Sequence, residues 1–257
     1  MRRRFRTVER RSEGYIDQVE IRSRRVQMAD RYKYTLYTYF RSSCSARVRI
    51  AAHIKGIPLE YKYIHLVKGE QHEPEYTAHN PSESVPTLVV TDAQSGEIVT
   101  KIRQSSAILE FLEETTPDLP KLLPPSDDPV GRAKVRELVN IIACDVQPVT
   151  NLRVLNFIKP FNLDAKDWQQ HFMTLGFRAY EELAKQYSGK YSVGDDLTMA
   201  DCALAPAIDG ALRFGVDVQG GFPHIWKVWE NLKVVEAFKK GRWDNQEDTP
   251  QELKTKE

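Results

Sequence analysis

The chain has 257 residues and 41% hydrophobic content, enough to bury one large core or two modest ones, and its 37 Lys and Arg nearly balance 36 Asp and Glu. Residues 1 to 33 hold 11 basic and 5 acidic side chains against 26 and 31 in the rest, so the body is mildly acidic and carries no nucleic-acid-binding stripe. No apolar run approaches the ~20 residues that cross a bilayer and no secretory leader pattern is present, so neither membrane insertion nor secretion is expected.

The first 33 residues are Arg-rich without a sustained apolar face, which predicts a disordered basic extension: a solvated tail, or sequence ahead of a start at Met28. Arginine content of this kind also fits mitochondrial targeting, but five acidic residues weigh against it, and a cytoplasmic protein is expected. From Tyr34 the pattern sharpens. "KYTLYTYF" is strand-like, "SARVRIAAHIK" is helical with Gly56 as its stop, and "PLEYKYIHL" is strand-like again, a βαβ unit. "VPTLVV" and "EIVTKI" flank the polar turn "TDAQSG" as a hairpin, and "QSSAILEFLEETT" follows as a helix. Residues 34–116 are therefore expected to form a mixed sheet with helices on its faces.

Five prolines between Thr116 and Pro129 mark residues 117–129 as a linker, because proline removes both helix and sheet hydrogen bonding. Residues 130–240 read as all-helical. Trp168, Phe172, Leu175, Ala179 and Leu183 recur at helical steps and predict the buried face of one long helix. In "RAKVRELVNIIACDVQPVTNLRVLNFI", Pro148 is expected to kink or interrupt the helix. "TMAD" is a capping-box start, and residues 241–257 look like a frayed polar tail.

Three cysteines cannot form a fully paired framework and none has C-x-x-C spacing; Cys144 and Cys202 lie on apolar helix faces and are assigned to the core. Six scattered histidines without HExxH spacing give a metal site no support. The chemistry concentrates at "RSSCSAR". A helix N-terminus presents unpaired N–H groups and positive potential, Ser42 and Ser43 add hydroxyl donors, and Arg41 and Arg47 strengthen the field, which suits a bound thiolate or carboxylate. Plain N-capping by serine is the other account. Cys44 likewise has two: a nucleophile of depressed pKa, or a small buried hydrophobe. At Val85-Pro86 a cis peptide would leave the Val85 backbone free to bind a peptide-like ligand as an added strand, against a plain trans turn. Gln104 and Ser105 open a second anion-ready helix terminus, or simply cap it.

The motifs "SSCSARVRIA", "NPSESVPTL", "RQSSAILEFLEE", "QPVTNLRVL" and "VGDDLTMADCALAP", in this order over nearly all of the expected folded body, resemble the zeta class of glutathione transferases, the class that contains maleylacetoacetate isomerase. The resemblance implies an α/β thioredoxin-like N-terminal domain followed by an all-α C-terminal domain, glutathione as cofactor, and a homodimer. It also implies that Ser42, Ser43 and Cys44 meet the glutathione thiol and Val85, ahead of cis-Pro86, its cysteinyl backbone. Gln104 and Ser105 would take the γ-glutamyl carboxylate, with Gln71, Gln147 and Asn151 in support. Arg213 in "ALRFGVD" matches a substrate arginine of the class, and Arg41 is a second candidate for a dicarboxylate; a solvated surface arginine is the other account of each, preferred for Arg41 and not for Arg213. Ala46 departs from the class, which commonly has a bulky, often aromatic, residue there.

The activity implied is thiolate addition to a cis double bond, rotation, and thiolate expulsion to give the trans isomer. A thiol of pKa ~8.5 lowered by ~2 units needs ~2.7 kcal/mol of thiolate stabilisation, within reach of a helix end and one or two hydroxyl donors. Glutathione conjugation or dehalogenation of small α-haloacids uses the same thiolate and stands as the alternative. A non-catalytic interaction module is a third reading, weakened by the retained "SSC".

Overall fold

The computed structural model describes residues 31–255, so the expectation of a disordered extension falls outside the described residues except at its last positions. There it meets a strand. β1 (Tyr32–Thr38) begins ahead of Tyr34, because Tyr32 and Lys33 pair with Asp92 and Thr91 of the neighbouring strand. α1 (Ser43–Lys55) crosses over to β2 (Glu60–Tyr63), which lies parallel to β1, and β3 (Thr87–Asp92) and β4 (Ile98–Arg103) form the antiparallel hairpin. A short helix, α2 (Pro74–Thr77), precedes the hairpin. The sheet order is β2-β1-β3-β4. Strand β1 alternates, with Tyr34, Leu36 and Thr38 inward, whereas β3 is buried continuously from Thr87 to Val90, as a central strand covered on both faces must be. Gly56 ends α1 at φ 68°, the left-handed conformation that glycine adopts without a Cβ clash. α3 (Ser105–Thr115) packs its Ile108 and Leu112 with Leu36, Val48 and Leu88 in the sheet's core.

The helical half opens at α4 (Pro129–Asn140), with Asp128 capping Gly131 N–H and proline at the first helical position. α4 runs into a π-helical turn, Ile141–Val146, and the chain leaves the helix at Gln147 and Pro148, as the proline predicted. α5 (Leu152–Ile158), α6 (Ala165–Tyr187), α7 (Met199–Arg213), α8 (Val218–Gly221), α9 (Pro223–Leu232) and α10 (Glu236–Gly241) complete it. Asp201 closes the expected cap at α7, accepting from Thr198 N–H at 2.8 Å and Thr198 Oγ1 at 3.0 Å.

Three expectations are corrected here. The buried face of α6 is Gln169, Met173, Gly176, Phe177, Tyr180, Glu181 and Ala184, while Leu175 and Ala179 are exposed and Trp168, Phe172 and Leu183 only partly covered. Hydrophobicity misled because this face buries polar groups that find partners. Glu181 caps α9 through the N–H groups of His224 and Ile225 at 3.0 Å, Gln169 donates to Thr150 O, and Tyr180 donates to Ser192 Oγ. Cys144 is exposed rather than in the core: the wider π-helical turn points Ile141, Ile142 and Val146 inward and leaves Cys144 outside. Cys202 is fully buried, as expected.

The third correction concerns residues 241–257, expected to fray. As far as residue 255 they fold back over the sheet domain in two short turns, Trp243–Asn245 and Gln251–Leu253. The segment is polar because it pairs with polar partners: Asp248 Oδ2 accepts from Phe40 N–H at 2.8 Å, Tyr63 donates to Glu247, and Thr249 Oγ1 donates to Trp243 O. The Pro-rich stretch 117–129 is also held, since buried Leu122 and Leu123 join the helical core. The buried Lys55–Glu113 pair, at 2.7 Å, anchors it through Pro120 O and Leu122 N–H. Ile50, Ala51 and Leu109 join the same helical core, so α1 and α3 are packed on both sides.

Candidate active site

Ser42 is the N-cap of α1, at φ −72° and ψ 112°, and its Oγ accepts from Ser45 N–H at 3.1 Å. The two accounts of this serine are compatible: capping uses an acceptor lone pair and leaves the hydroxyl proton to donate elsewhere. Ser43 and Cys44 fill the first turn, where the helix has no acceptor for their N–H groups and no acidic side chain opposes an anion. All three side chains are half-buried. Behind them Arg47 donates from Nη1 to Ser105 Oγ at 3.0 Å, both side chains buried, which ties the N-terminus of α1 to that of α3.

These groups open into a cavity of about 720 Å³ between the sheet domain and the helical domain. Its wall includes Arg41, Ser42, Ser43, Cys44 and Arg47 on one side. Gln71 and Val85 line the same domain, and Gln147, Asn151 and Arg213 face them from the helices. The Val85-Pro86 bond is cis, and Val85 reaches the wall while Pro86 stays behind it. Gln104 and Ser105 are not part of this wall. Gln104 is exposed at φ 78°, a left-handed position outside the cavity, and the Ser105 hydroxyl is engaged by Arg47. Gln71 Oε1 is buried with no hydrogen-bond partner, an acceptor suited to a ligand N–H.

The cavity also carries two cations. Arg213 is the last residue of α7, stacked over Phe214 at 4.9 Å, and Arg41 lies over the rings of Phe40 and Trp243. Surrounding protein lowers the pKa of Arg213, and the charge of Arg41 lowers it further, so the two cations sense one another. Tyr39 sits on the same wall with its hydroxyl pKa raised by burial. Three of the wall residues that the sequence reading missed carry charge or a large ring: Asp209, Arg153 and Trp243. Arg153 Nη2 donates to Ser82 O at 2.9 Å, latching α5 to the loop before Val85. Two of the three had visible signals: an acid inside the apolar run "APAIDGALR" and a tryptophan in a polar tail.

A four-stranded mixed sheet with a cis-proline leading into β3, an all-helical second domain and a thiol-ready helix end facing the cleft define the class of fold and site seen in glutathione transferases. The profile of the glutathione S-transferase N-terminal domain matches residues 41–115 and that of the C-terminal domain residues 157–233. A maleylacetoacetate isomerase of Aspergillus fumigatus is 52% identical over 223 residues, covering 86% of this chain and 95% of its own. A bacterial zeta-class maleylpyruvate isomerase superposes with a TM-score of 0.76 at 37% identity, over 84% of this chain and all of that one. A maleylacetoacetate isomerase of Anaeromyxobacter dehalogenans, with dicarboxyethyl glutathione and citrate in its active site, gives 0.77 at 35% identity, over 86% and 99% of the two chains. This chain belongs to the glutathione S-transferase family, in its zeta class.

Proposed function

We infer that this protein isomerises maleylacetoacetate to fumarylacetoacetate, with glutathione as a cofactor that is used and not consumed. The observation that carries this is one cavity that holds a thiolate-ready helix terminus together with the Arg41 and Arg213 cations.

The glutathione thiolate adds to one carbon of the cis double bond, and the displaced π electrons move through the conjugated carbonyl onto its oxygen as an enolate. The former double bond is now single and rotates. Collapse of the enolate restores the double bond in the trans geometry and expels the thiolate, so protons and electrons balance without a co-reactant. In this scheme the Ser42 hydroxyl and the N–H groups of Ser43 and Cys44 hold the thiolate, supported by the helix dipole. Val85 offers backbone to the cysteinyl unit, and Gln71, Gln147 and Asn151 line the tripeptide's path. Arg47 acts through Ser105, keeping the two helix termini in register. Gln104 and Ser105 take the γ-glutamyl end just outside the wall, and Arg41 and Arg213 hold the substrate carboxylates.

The active form is a homodimer placed in the cytoplasm. In support, the sheet's edge strand β4 exposes Ile98 and Val99, an apolar pair that a second copy would cover, and Cys144 is free and exposed, as suits a reducing compartment. Sedimentation velocity tests the assembly. Isomerisation of maleylacetone followed with and without glutathione tests the activity, and a protein that shows no glutathione-dependent rate does not have this function.

A further inference from the structure

Two buried aspartates of α7 differ in one respect. Asp201 accepts from Ser192 N–H at 2.9 Å as well as from Thr198, so its carboxylate is built into the fold. Asp209 faces the cavity with a side chain only 11% exposed, and no hydrogen bond reaches it among the described residues. Its nearest cation, Arg242, stands off at 3.8 Å and instead directs Nη2 to Asp244 at 3.1 Å, leaving Arg242 Nε buried without a hydrogen-bond partner. One helical turn beyond Asp209 on the same helix is Arg213. A sheltered carboxylate beside the arginines of a ligand cavity, held only by a loose ion pair to Arg242 and by no hydrogen bond, is placed to act on whatever binds there.

We propose that Asp209 is a specificity-determining residue that sets the charge of ligand this cavity accepts. Ionised, it takes up part of the positive field of Arg213 and Arg242 and repels a ligand carboxylate; protonated, it leaves that field to the ligand. Dianionic ligands therefore bind with uptake of a proton, and more tightly at lower pH, while monoanions respond less. The charged groups acting on Asp209 are Arg242 and Asp244 from the C-terminal segment and Arg213 from its own helix, with Arg41 facing Arg213 from the approach to α1. The wall contributed by the π-helical turn and α6, through Ile142, Val146, Gln169 and Met173, is uncharged. Burial raises the Asp209 pKa to about 6, which brings this titration into the range where it can be read.

The proposal rests on Arg213 meeting a substrate carboxylate, and its test reads binding rather than turnover. Fumarate, ionised at both carboxyls throughout, is titrated calorimetrically into the full-length protein loaded with S-methylglutathione, which has no ionisable thiol, at about pH 5.5 and about pH 7.5, bracketing the Asp209 titration. The parent should bind it roughly fivefold more tightly at the lower pH, the scale of one charge interaction across a partly solvated cavity. Heats in buffers of different ionisation enthalpy should show proton uptake. Asp209→Asn should bind fumarate at both pH values as the parent does at the lower one, with glutathione affinity unchanged; Asp209→Ser serves if the asparagine variant does not fold. Equal fumarate affinity of the parent at both pH values, or a pH dependence that survives in a folded Asp209 variant, overturns the proposal. An inactive protein that still shows the Asp209-dependent binding sinks the assigned reaction alone.

Discussion

Arg49 Nε donates to the carbonyl of Gly241 at 3.1 Å, joining the middle of α1 to the end of α10. The same guanidinium, fully buried, donates to Thr38 Oγ1 at 2.9 Å, Tyr39 O at 3.3 Å and Phe40 O at 3.2 Å. Burial lowers its pKa to about 10, still far above neutrality, so it stays charged in use. One side chain thus holds the three residues that lead into Arg41 and Ser42, and fixes where the C-terminal segment begins.

Gly241 is the weak point of that junction. A Cβ built there would lie 2.4 Å from Ile50 Cγ1 and 3.0 Å from the Ile50 backbone nitrogen, and backbone cannot swing aside as a side chain can. Gly241→Ala should therefore cost about 1–3 kcal/mol, the usual range for overpacking a tight contact. Urea denaturation measures it; a variant within error of the parent would show that the α1–α10 contact relaxes freely.

Removing residues 241–257 should destabilise the sheet domain and depress turnover, contrary to what a frayed tail would do. The truncation strips the acceptor from Phe40 N–H and the carbonyl from Arg49, leaving a buried charge short of a partner. It also removes Trp243 from beside Arg41. A truncated protein with parental melting temperature and kcat would return this segment to the status of a solvated end.

The framework was legible from periodicity and punctuation. Gly56, Pro148, the "TDAQSG" turn and the Thr198–Asp201 cap each produced the feature their local chemistry dictates. What failed was any inference that equated polarity with exposure. Gln169 and Glu181 are buried because residues distant in sequence supply their partners, and Asp248 is held by a backbone N–H 208 positions away. The same reason kept Asp209 out of the candidate site, since its relation to Arg242 exists only once α10 has turned the chain back. At the site, the serines and cysteine were readable because one helix terminus brings them together; Arg213 was readable only through resemblance.

Asp209 should also make stability depend on pH in an unusual direction. Its folded pKa, raised to about 6, exceeds the unfolded value of 3.8, so between these the folded state binds more protons and stability falls as pH rises. Above about 6 the full cost is present, about 3 kcal/mol, and Asp209→Asn should recover much of it at neutral pH while gaining little near pH 4. Thermal melts of both proteins across that range check the sign. A variant less stable than the parent at neutral pH would mean that the Arg242 contact outweighs desolvation.

Arg213→Ala should raise the KM for the dicarboxylate about tenfold, from loss of one charge-assisted contact, and leave the KM for glutathione nearly unchanged. The expectation follows from its position at the end of α7, on the cavity wall contributed by the helical domain. Equal weakening of both ligands would place the arginine on the tripeptide instead.

Ser42 and Cys44 can be separated because Ser42 has two duties. As N-cap it accepts from Ser45 N–H, and losing that costs about 1 kcal/mol of stability for alanine but only a few tenths for glycine. Ser42→Gly therefore removes the hydroxyl while sparing the helix. If the hydroxyl holds the thiolate, both Ser42 variants should lose turnover strongly, by roughly a hundredfold for a contact of about 3 kcal/mol, and raise the pKa of bound glutathione toward that of the free thiol. Cys44→Ala should keep substantial activity, since a second thiol at this position would compete for the electrophile or form a mixed disulfide rather than assist. Ultraviolet titration of the bound thiolate, run on all three variants beside their melting curves, distinguishes chemistry from capping. Parental titration and turnover in Ser42→Gly, together with loss of both in Cys44→Ala, would make the cysteine the reacting group and the serine a cap only.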